Sequence, residues 1–238
     1  EIIVAPEKLD RVMAIMAHAD DAEFGFAGTI AKWVRQGRRV TYVVITNGNK
    51  GSSDPEMTPE RLASIREAEQ RAACRVLGVE QVVFLGYPDG ELEATLQLRR
   101  DLSREIRRFK PDIALVPDPT TWYFGNNYVN HPDHRAAGEA ALAAIYPSAR
   151  DRLTFPELLA EGLQPHNVRE VYLTIAQDPN IRVDITETID VKIAALREHR
   201  SQLSDPRAVE EMVRHWAEEN AAGHEMKYAE RFKRIVLP

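Results

Sequence analysis

Four ionisable side chains stand within six residues near the start of the chain, directly after an apolar run at residues 12–17. They are His18, Asp20, Asp21 and Glu23. Burying such groups together costs free energy unless something compensates their charge. Histidine and aspartate are ligands of first-row metals, and a spare carboxylate can act as a base. The segment therefore predicts a metal site with a base beside it; the alternative is a solvated turn whose acidic residues favour a helix N-terminus.

A second cluster lies far along the chain, at His131, Pro132, Asp133 and His134. Proline is tolerated in the first turn of a helix, so we expect this cluster at a helix N-terminus. Its two histidines are three residues apart and would share one helical face. On its own, the cluster is explained equally well by a helix-capping turn with surface histidines.

Together the two clusters contain enough ligands for a catalytic zinc ion, which typically takes three protein ligands and leaves one position for water. The best ligand set is His18, Asp21 and His134. Asp20 remains as an unligated base. His131 stays free of the metal, and we expect Asp133 to orient it as the carboxylate partner of one ring nitrogen. The predicted cofactor is one Zn²⁺ per chain.

These residues need a scaffold that brings two distant segments together, and the pattern of apolar runs predicts one. Four apolar strands alternate with helical patterns, which is typical of a doubly wound parallel sheet. The strands are predicted at residues 12–17, 38–46, 82–85 and 113–116. The helices are predicted at residues 25–36, 58–77 and 95–109, and from the second cluster to about residue 146. In such sheets ligands bind at the carboxyl ends of the strands, where both clusters fall.

The fold prediction is an α/β chain with a Rossmann-like, doubly wound, mainly parallel sheet and helices on both faces. The length of 238 residues suits a single domain, with a core at residues 1–146 and a C-terminal extension at residues 147–238. No GxGxxG segment follows the first strand, so the chain lacks the dinucleotide-binding fingerprint. It lacks a P-loop motif as well.

The extension is expected to add a hairpin and helices to the core. Two strands, at residues 168–176 and 181–185, flank a turn and are expected to pair as an antiparallel hairpin. Helical patterns follow at residues 186–203 and 207–221. The last stretch, residues 226–236, is aromatic and basic, and we expect it only to pack on the domain.

Charge, cysteine content and hydropathy restrict the classes of partner. The formal net charge is -6, and this lack of basic excess argues against nucleic acid or an anionic membrane as a partner. Cys74 is the only cysteine, and no signal peptide or membrane-length apolar stretch is visible. We therefore expect a cytoplasmic protein with a small-molecule substrate and no membrane insertion. Whether the aromatic residues at 122–124 form a pocket mouth or a homo-oligomer contact stays open.

Both clusters resemble motifs of one known family. Residues 18–23 are similar to the HPDDxE motif of the LmbE-like, or PIG-L, zinc-dependent deacetylases, and residues 131–134 are similar to their HxDH motif. Ala19 replaces the usual proline of the first motif, which removes no ligand. Further similarities extend the resemblance over nearly the whole chain, at residues 46–48, 66–69, 89–90, 183–185, 192 and 199–202.

The resemblance implies an enzyme that uses a zinc-activated water to remove an acyl group from an amide. The usual substrate is the N-acetyl group of an N-acetylglucosamine-type sugar or glycoside. In the zinc deacetylases the matching residues bind the metal; here they are His18, Asp21 and His134. Asp20 would activate the water. His131 would stabilise the oxyanion or protonate the leaving amine, with Asp133 behind it.

The same resemblance implies where the sugar binds. Arg66 and Asp89 match family positions that contact the sugar, and Asn47 is the third implied substrate-binding residue. Other features are left open, including the aglycone, the acyl group, the physiological metal and the oligomeric state. Three residues also have no assigned role, namely Glu23, Tyr128 and His199.

Two other functions could use the same residues. Two histidines and one carboxylate also form the facial triad of non-haem iron oxygenases, and a catalytically silent sugar-binding module could keep the fold. The alternating βα pattern and the spare Asp20 argue against the oxygenase. A binding module needs neither a base nor an acid, so Asp20 and His131 argue against it. Metal analysis and oxygen uptake would distinguish the two enzymes.

Overall fold

A seven-stranded sheet lies at the centre of the computed structural model, which describes residues 9–238. The strands of these residues are β1 (Arg11–Met16), β2 (Arg39–Thr46), β3 (Gln81–Tyr87), β4 (Ile113–Pro117), β5 (Tyr123–Phe124), β6 (Tyr128–Val129), β7 (Glu170–Thr174), β8 (Ile181–Asp184) and β9 (Ala229–Val236). The helices are α1 (Asp21–Gly25), α2 (Ala27–Arg35), α3 (Pro59–Leu77), α4 (Leu96–Phe109), α5 (Pro132–Ala143), α6 (Glu157–Ala160), α7 (Ile189–Leu196) and α8 (Pro206–Ala221). A π-helical turn, Ala144–Ser148, extends α5.

The strand order in the large sheet is β3-β2-β1-β4-β7-β9-β8, and β5 pairs with β6 in a separate small hairpin. The strands β1 to β4 and β7 all run parallel to one another, whereas β9 is antiparallel to both β7 and β8. The predicted α/β class with a mainly parallel sheet is therefore confirmed. The strand order reverses between β1 and β4, and this crevice is where open α/β sheets bind ligands.

Both faces of the sheet are covered, because successive residues of β1 point into two separate apolar clusters. Val12, Ala14 and Met16 pack with side chains of α2 and α3, whereas Met13 and Ile15 pack with side chains of α4 and α5. A central parallel strand that is buried on both faces reads as a continuous apolar run rather than as an alternating one. This explains why residues 12–17 carry no polar side chain.

The predicted hairpin is wrong, because β9 lies between β7 and β8 and pairs with both. The chain leaves β7 and passes through Asn180, whose backbone amide donates to the carbonyl of Phe232 on β9 at 2.9 Å. Phe232 is buried in the main core, and Arg234 forms an ion pair with Glu170 of β7. Arg234 is thus paired across the sheet, and a basic segment that was expected only to pack on the domain is an internal strand.

The helix predicted at residues 25–36 begins earlier and is broken at Phe26, which separates α1 from α2. The break allows the backbone amides of Gly28 and Thr29 to donate to the carboxylate of Glu230 on β9, at 3.0 and 2.7 Å. Lys192 of α7 also donates to Glu230, at 2.6 Å, within a buried environment. A buried carboxylate thus caps the N-terminus of α2 and joins three elements.

The helix predicted at residues 186–203 is shorter in the structure, since α7 ends at Leu196. The following turns bring His199 into the interior, where its side chain is fully buried. Among the described residues, no helix combines the length and the apolar character that a bilayer span needs.

Candidate metal centre

The two sequence clusters meet above the carboxyl ends of β1 and β4, which are neighbours in the sheet. His18 follows β1 by two residues, and Asp21 begins α1. His134 lies in the first turn of α5. These three residues can each present one ligand atom within 4.8 Å of the others. The structure therefore brings together the three side chains that were predicted to bind the metal.

Close packing of α5 on β4 helps to place His134. A Cβ atom added to Gly138, one helical turn further along α5, would lie 2.2 Å from the carbonyl oxygen of Pro117 at the end of β4. Only a residue without a side chain allows this approach. The first turn of α5 is thereby held close to the end of β4, where His134 can reach the turn after β1.

Distances within the candidate ligand set are short. His18 Nδ1 and His134 Nε2 are 3.3 Å apart, and His134 Nε2 lies 3.1 Å from Asp21 Oδ1. The second carboxylate oxygen of Asp21 accepts the backbone N–H of His18 at 2.9 Å. One oxygen of Asp21 is thus fixed by the backbone N–H of His18, while the other lies beside His134 Nε2.

The proton on His134 is placed by Asn130, a buried residue that the sequence analysis did not single out. Asn130 Nδ2 donates to the carbonyl of Thr121 at 2.7 Å, which leaves its Oδ1 as an acceptor 2.9 Å from His134 Nδ1. His134 must donate from Nδ1, so its Nε2 lone pair faces His18 and Asp21. The available signal was an asparagine four residues before a candidate ligand, which alone is weak.

The proton on His18 is placed by two aspartates. His18 Nε2 lies 3.1 Å from Asp133 Oδ2 and 3.1 Å from Asp89 Oδ1. Asp133 is itself held by the backbone amides of Gly90 and Leu92, at 2.7 and 3.2 Å. Both aspartates accept, so His18 donates from Nε2 and its Nδ1 lone pair faces the ligand set.

This arrangement corrects the predicted partner of Asp133. Its carboxylate was expected to orient His131, but the nearest carboxylate oxygen lies 3.9 Å from His131 Nδ1. The backbone N–H of Asp133 donates to that nitrogen instead, at 3.2 Å, so His131 caps α5. The side chain of Asp133 serves His18 because the loop after β3 supplies two amides that hold it there.

The donor set fits a divalent cation. Two imidazole lone pairs and one carboxylate oxygen converge on a common point, and nothing but a cation or a proton relieves their mutual repulsion. Each of the three ligands is also fixed by a second hydrogen bond on its far side, as metal-binding histidines usually are. Two histidines and one carboxylate with an open side match a catalytic zinc site.

The charges around the set favour a bound cation. Burial opposes the charged imidazolium of His18, but hydrogen bonds to aspartates outweigh burial and raise the pKa of His18 to about 12. These aspartates are Asp133, Asp21 and Asp89. Burial also disfavours the ionised form of Asp21, yet the neighbouring histidines hold the pKa of Asp21 well below its usual range. Positive charge is stabilised between these carboxylates.

Asp20, the predicted base, is not among the convergent ligand atoms. Its carboxylate lies near Arg66, with Oδ2 3.4 Å from Nη2, and the side chain is 14% exposed. Burial raises the pKa of Asp20 to about 7, against the opposing charge of Arg66. A carboxylate that titrates in this range can accept and return a proton at neutral pH.

His131, the other predicted catalytic residue, lies at the open side of the site, and its side chain is 39% exposed. Its ring lies edge-on to that of His18, with centroids 4.6 Å apart. Because Nδ1 accepts the amide of Asp133, the proton of the neutral ring is on Nε2. Burial, followed by the charge of His18, lowers the pKa of His131. His131 can therefore present a neutral N–H donor to a substrate.

Of the three predicted substrate-binding residues, Arg66 and Asp89 contact residues of the site, and Asn47 lies in the loop after β2. Arg66 is buried and donates to the carbonyl oxygens of Ala19 and Gly48, at 2.7 and 3.3 Å. Asp89 lies between His18 and Arg66. Asn47 follows β2, and its side-chain oxygen accepts the amide of Asn49. Their contacts with a sugar stay predictions, and in the chain itself Arg66 and Asp89 support the loops that carry the ligands.

Comparison of the sequence with known proteins gives a family match and several similar deacetylases. The family model described as "PIG-L: GlcNAc-PI de-N-acetylase" matches residues 13–145. A diacetylchitobiose deacetylase from Thermococcus kodakarensis is 35% identical over 82% of this chain and 71% of its own. A probable N-acetyl-alpha-D-glucosaminyl L-malate deacetylase 2 from Bacillus anthracis is 30% identical over 81% of each chain.

A solved structure adds the three-dimensional match. The N,N'-diacetylchitobiose deacetylase from Pyrococcus horikoshii, complexed with an inhibitor, superposes with a TM-score of 0.88 and is 33% identical in sequence. The match covers 95% of this chain and 84% of the Pyrococcus chain. It therefore includes both clusters and the sheet that carries them.

Proposed function

The chain belongs to the PIG-L family of GlcNAc-PI de-N-acetylases, and we propose that it is a metal-dependent hydrolase that removes the N-acetyl group from an N-acetylglucosamine-type sugar or glycoside. The observation that carries this proposal is the convergence of His18, Asp21 and His134 at one sheet edge, with Asp20 and His131 beside them. The names of the relatives do not favour the oxygenase alternative.

In this proposal His18, Asp21 and His134 would hold one Zn²⁺. The fixed tautomers of both histidines support the assignment, because each turns a lone pair toward the same point. When bound, zinc polarises the amide carbonyl and lowers the pKa of a water molecule to about 7. Asp89 and Asp133 hold the ring of His18 in place.

Asp20 takes a proton from the attacking water and delivers it to the nitrogen of the leaving amine. An amine leaves poorly unless it is protonated, so hydrolysis needs both transfers. Asp20 suits both transfers because burial raises the pKa of its carboxyl to about 7, so the group can accept a proton and give it back. His131 donates from Nε2 to the carbonyl oxygen, where negative charge develops. Arg66, Asp89 and Asn47 contribute to the sugar-binding side of the site.

The relatives differ in the group attached to the N-acetylglucosaminyl unit, since one is named for diacetylchitobiose and another for an L-malate glycoside. We propose a small N-acetylated glycoside as the substrate of this chain. We also propose that the described strands and helices work as one catalytic domain and that the enzyme acts in the cytoplasm, where Cys74 stays reduced.

A release assay for free amine tests this proposal. The purified protein is incubated with N-acetylglucosamine, N,N'-diacetylchitobiose and the malate- and inositol-linked N-acetylglucosaminides, each with Zn²⁺ and with a chelator. We expect metal-dependent release of one amine and one acetate from at least one of these sugars. Equal amounts of metal in wild type and His134→Ala, or oxygen uptake in place of acetate release, would contradict it.

A further inference from the structure

The backbone of Asp20 is strained. Its φ is +90° and its ψ is -22°, in the left-handed region that residues with side chains rarely adopt. Such strain persists only where the surrounding structure holds it, and it is concentrated at functional sites. Because Asp20 caps no helix amide with its own side chain, the contacts that hold it must come from elsewhere.

Two side chains of α3 hold the peptide unit between Ala19 and Asp20. Arg66 Nη2 donates to the carbonyl oxygen of Ala19 at 2.7 Å, and Gln70 Oε1 accepts the N–H of Asp20 at 3.1 Å. Residues four apart on a helix lie on one face, so both contacts come from the same side of α3. The two ends of one peptide dipole are thus fixed, and this fixes the φ of Asp20.

Gln70 can accept this N–H only if its amide has the correct orientation. Its Nε2 donates to the two carboxylate oxygens of Glu23, at 3.2 and 3.3 Å. An ionised carboxylate accepts and never donates, so Glu23 requires the NH₂ of Gln70 to point toward it and the oxygen to point toward Asp20. The side chains of Gln70 and Glu23 are both fully buried, so water does not compete for the hydrogen bonds between them.

Glu23 is in turn held by His199, whose Nε2 lies 3.0 Å from Glu23 Oε2. Both side chains have no exposed surface. His199 Nδ1 is buried without a hydrogen-bond partner among the described residues, so Glu23 is the group that satisfies this imidazole. Neither residue touches the three candidate ligands, and the sequence left the roles of both open.

We propose that Gln70 is a positioning residue for the base Asp20, with its amide oriented by the buried Glu23–His199 pair. The inference rests on the proposed function, because it requires Asp20 to be the base. The chain of contacts runs from the turn after α7 through α1 and α3 to a single backbone amide, and it ends on Asp20 rather than on the metal ligands. Loss of this chain of contacts should therefore slow turnover without releasing metal.

A charge swap tests the orientation directly. Gln70→Glu places two carboxylates face to face. Glu23→Gln replaces one of the two acceptor oxygens beside Gln70 Nε2 with an NH₂ group, and the oxygen that remains accepts from His199. In the double variant Gln70→Glu/Glu23→Gln every donor again faces an acceptor: the new glutamine donates to the new glutamate, which accepts the N–H of Asp20. We expect each single variant to lower kcat about 10²-fold, because misplacement of a reacting group by about 1 Å costs that much. The double variant should recover most of the loss.

Metal content by mass spectrometry and KM should stay near wild type in all three variants. Gln70→Met provides the same test without a second buried charge. Leu77→Ala, which removes a buried side chain from the same helix at a distance from the site, is the packing control: it should lower Tm and leave kcat unchanged.

The final measurement repeats Gln70→Met in an Asp20→Asn background. Because the base is already absent there, Gln70→Met should lower kcat by less than about a further twofold. If Gln70→Met caused a general structural defect, its fold-loss of kcat would instead multiply the fold-loss of Asp20→Asn. Three results would overturn the proposal. Gln70→Met could lower kcat by the same factor in both backgrounds, it could keep a wild-type kcat, or the double variant Gln70→Glu/Glu23→Gln could turn over as slowly as the two single variants. If Asp20→Asn itself turns over at the wild-type rate, the proposed base is wrong instead.

Discussion

Asp20 and Asp21 are adjacent in sequence but lie in opposite environments. Asp21 accepts the backbone amide of His18, and although burial opposes ionisation, the side chains of His134 and His18 lower the pKa of its carboxyl. Asp20 turns away through its positive φ, and burial raises the pKa of its carboxyl. The left-handed residue between strand and helix separates the two side chains, so one can serve as ligand while its neighbour serves as base.

The first prediction separates these two roles. Asp20→Asn keeps the size of the side chain and removes its basicity. We expect turnover to fall by roughly 10²–10⁴-fold, because that is the usual contribution of a general base, with metal content and KM near wild type. Mass spectrometry of the intact protein and steady-state kinetics measure both. If the variant loses its metal instead, Asp20 is a ligand and the roles of the two aspartates must be exchanged.

The second prediction concerns Asn130. Asn130→Ala removes the acceptor that fixes the tautomer of His134 but leaves the ligand itself. Loss of such an outer partner typically weakens metal affinity by roughly 10–100-fold. We expect that range in a chelator competition titration, against a much larger loss in His134→Ala. An affinity equal to that of wild type would mean that His134 does not depend on Asn130 for its orientation.

The ligand set was predictable because its signal is local: each cluster follows an apolar run, and parallel strands end at one edge. The partners of Asp133 were not predictable in this way. Its carboxylate is directed to His18 by backbone amides of Gly90 and Leu92, and backbone amides carry no sequence signature. The role of Gln70 was not predictable for a similar reason, since it depends on the φ of Asp20, which is distant in the sequence.

At the scale of elements, the position of α5 depends on a single missing side chain. Gly138 allows α5 to approach the end of β4, and His134 lies one turn before it. Most of the sheet was predictable from apolar runs, but this approach was not, because a glycine within a helical pattern does not reveal what it packs against. The pattern did not predict β9 as a strand either, because charged residues interrupt its apolar positions.

The third prediction follows from this approach. In Gly138→Ala the added methyl group meets backbone atoms, which cannot rotate away, so α5 must shift outward. We expect a destabilisation of about 1–3 kcal/mol, as in other overpacked sites, together with weaker metal binding. Thermal unfolding and a metal titration measure the two effects. Glu139→Gly, at an exposed position of the same helix, controls for a change of helix propensity without a change of core packing.

The fourth prediction concerns the buried pair that joins α2, α7 and β9. Lys192→Met leaves Glu230 charged and buried, with only two amides and no cation. Removing one partner of a buried ion pair typically costs about 3–5 kcal/mol, and we expect a loss of that size in the free energy of unfolding. Adding Glu230→Gln should restore part of it. Chemical denaturation of the two single variants and the double variant gives the coupling; purely additive losses would contradict the pairing.

At the scale of the whole molecule, the metal site connects segments more than a hundred residues apart, since His18 follows β1 and His134 lies in α5, the helix that comes after β4. A cation that binds only the folded chain stabilises it by about 2.7 kcal/mol when free metal is at 100 times Kd. The sheet itself does not depend on this contribution, because its strands are paired throughout.

The fifth prediction is that a chelator lowers Tm without unfolding the protein at room temperature. For a chain of this size we expect a shift of about 5–10 °C, from roughly 2–4 °C per kcal/mol. Differential scanning calorimetry with and without added Zn²⁺ measures it. The His134→Ala variant should show no shift, and an equal shift in that variant would place the stabilising metal at another site.

The position of β9 has a consequence for biosynthesis. Within residues 9–238, β8 is translated well before β9 but pairs only with β9, so its backbone hydrogen-bonding groups have no strand partner until residues 229–236 have been made. The same late segment delivers Glu230 to the start of α2, directly after the metal-binding turn. All three candidate ligands are therefore translated long before Glu230, which caps the helix behind the site, and we expect the site of a nascent chain to be complete only after β9 has been made.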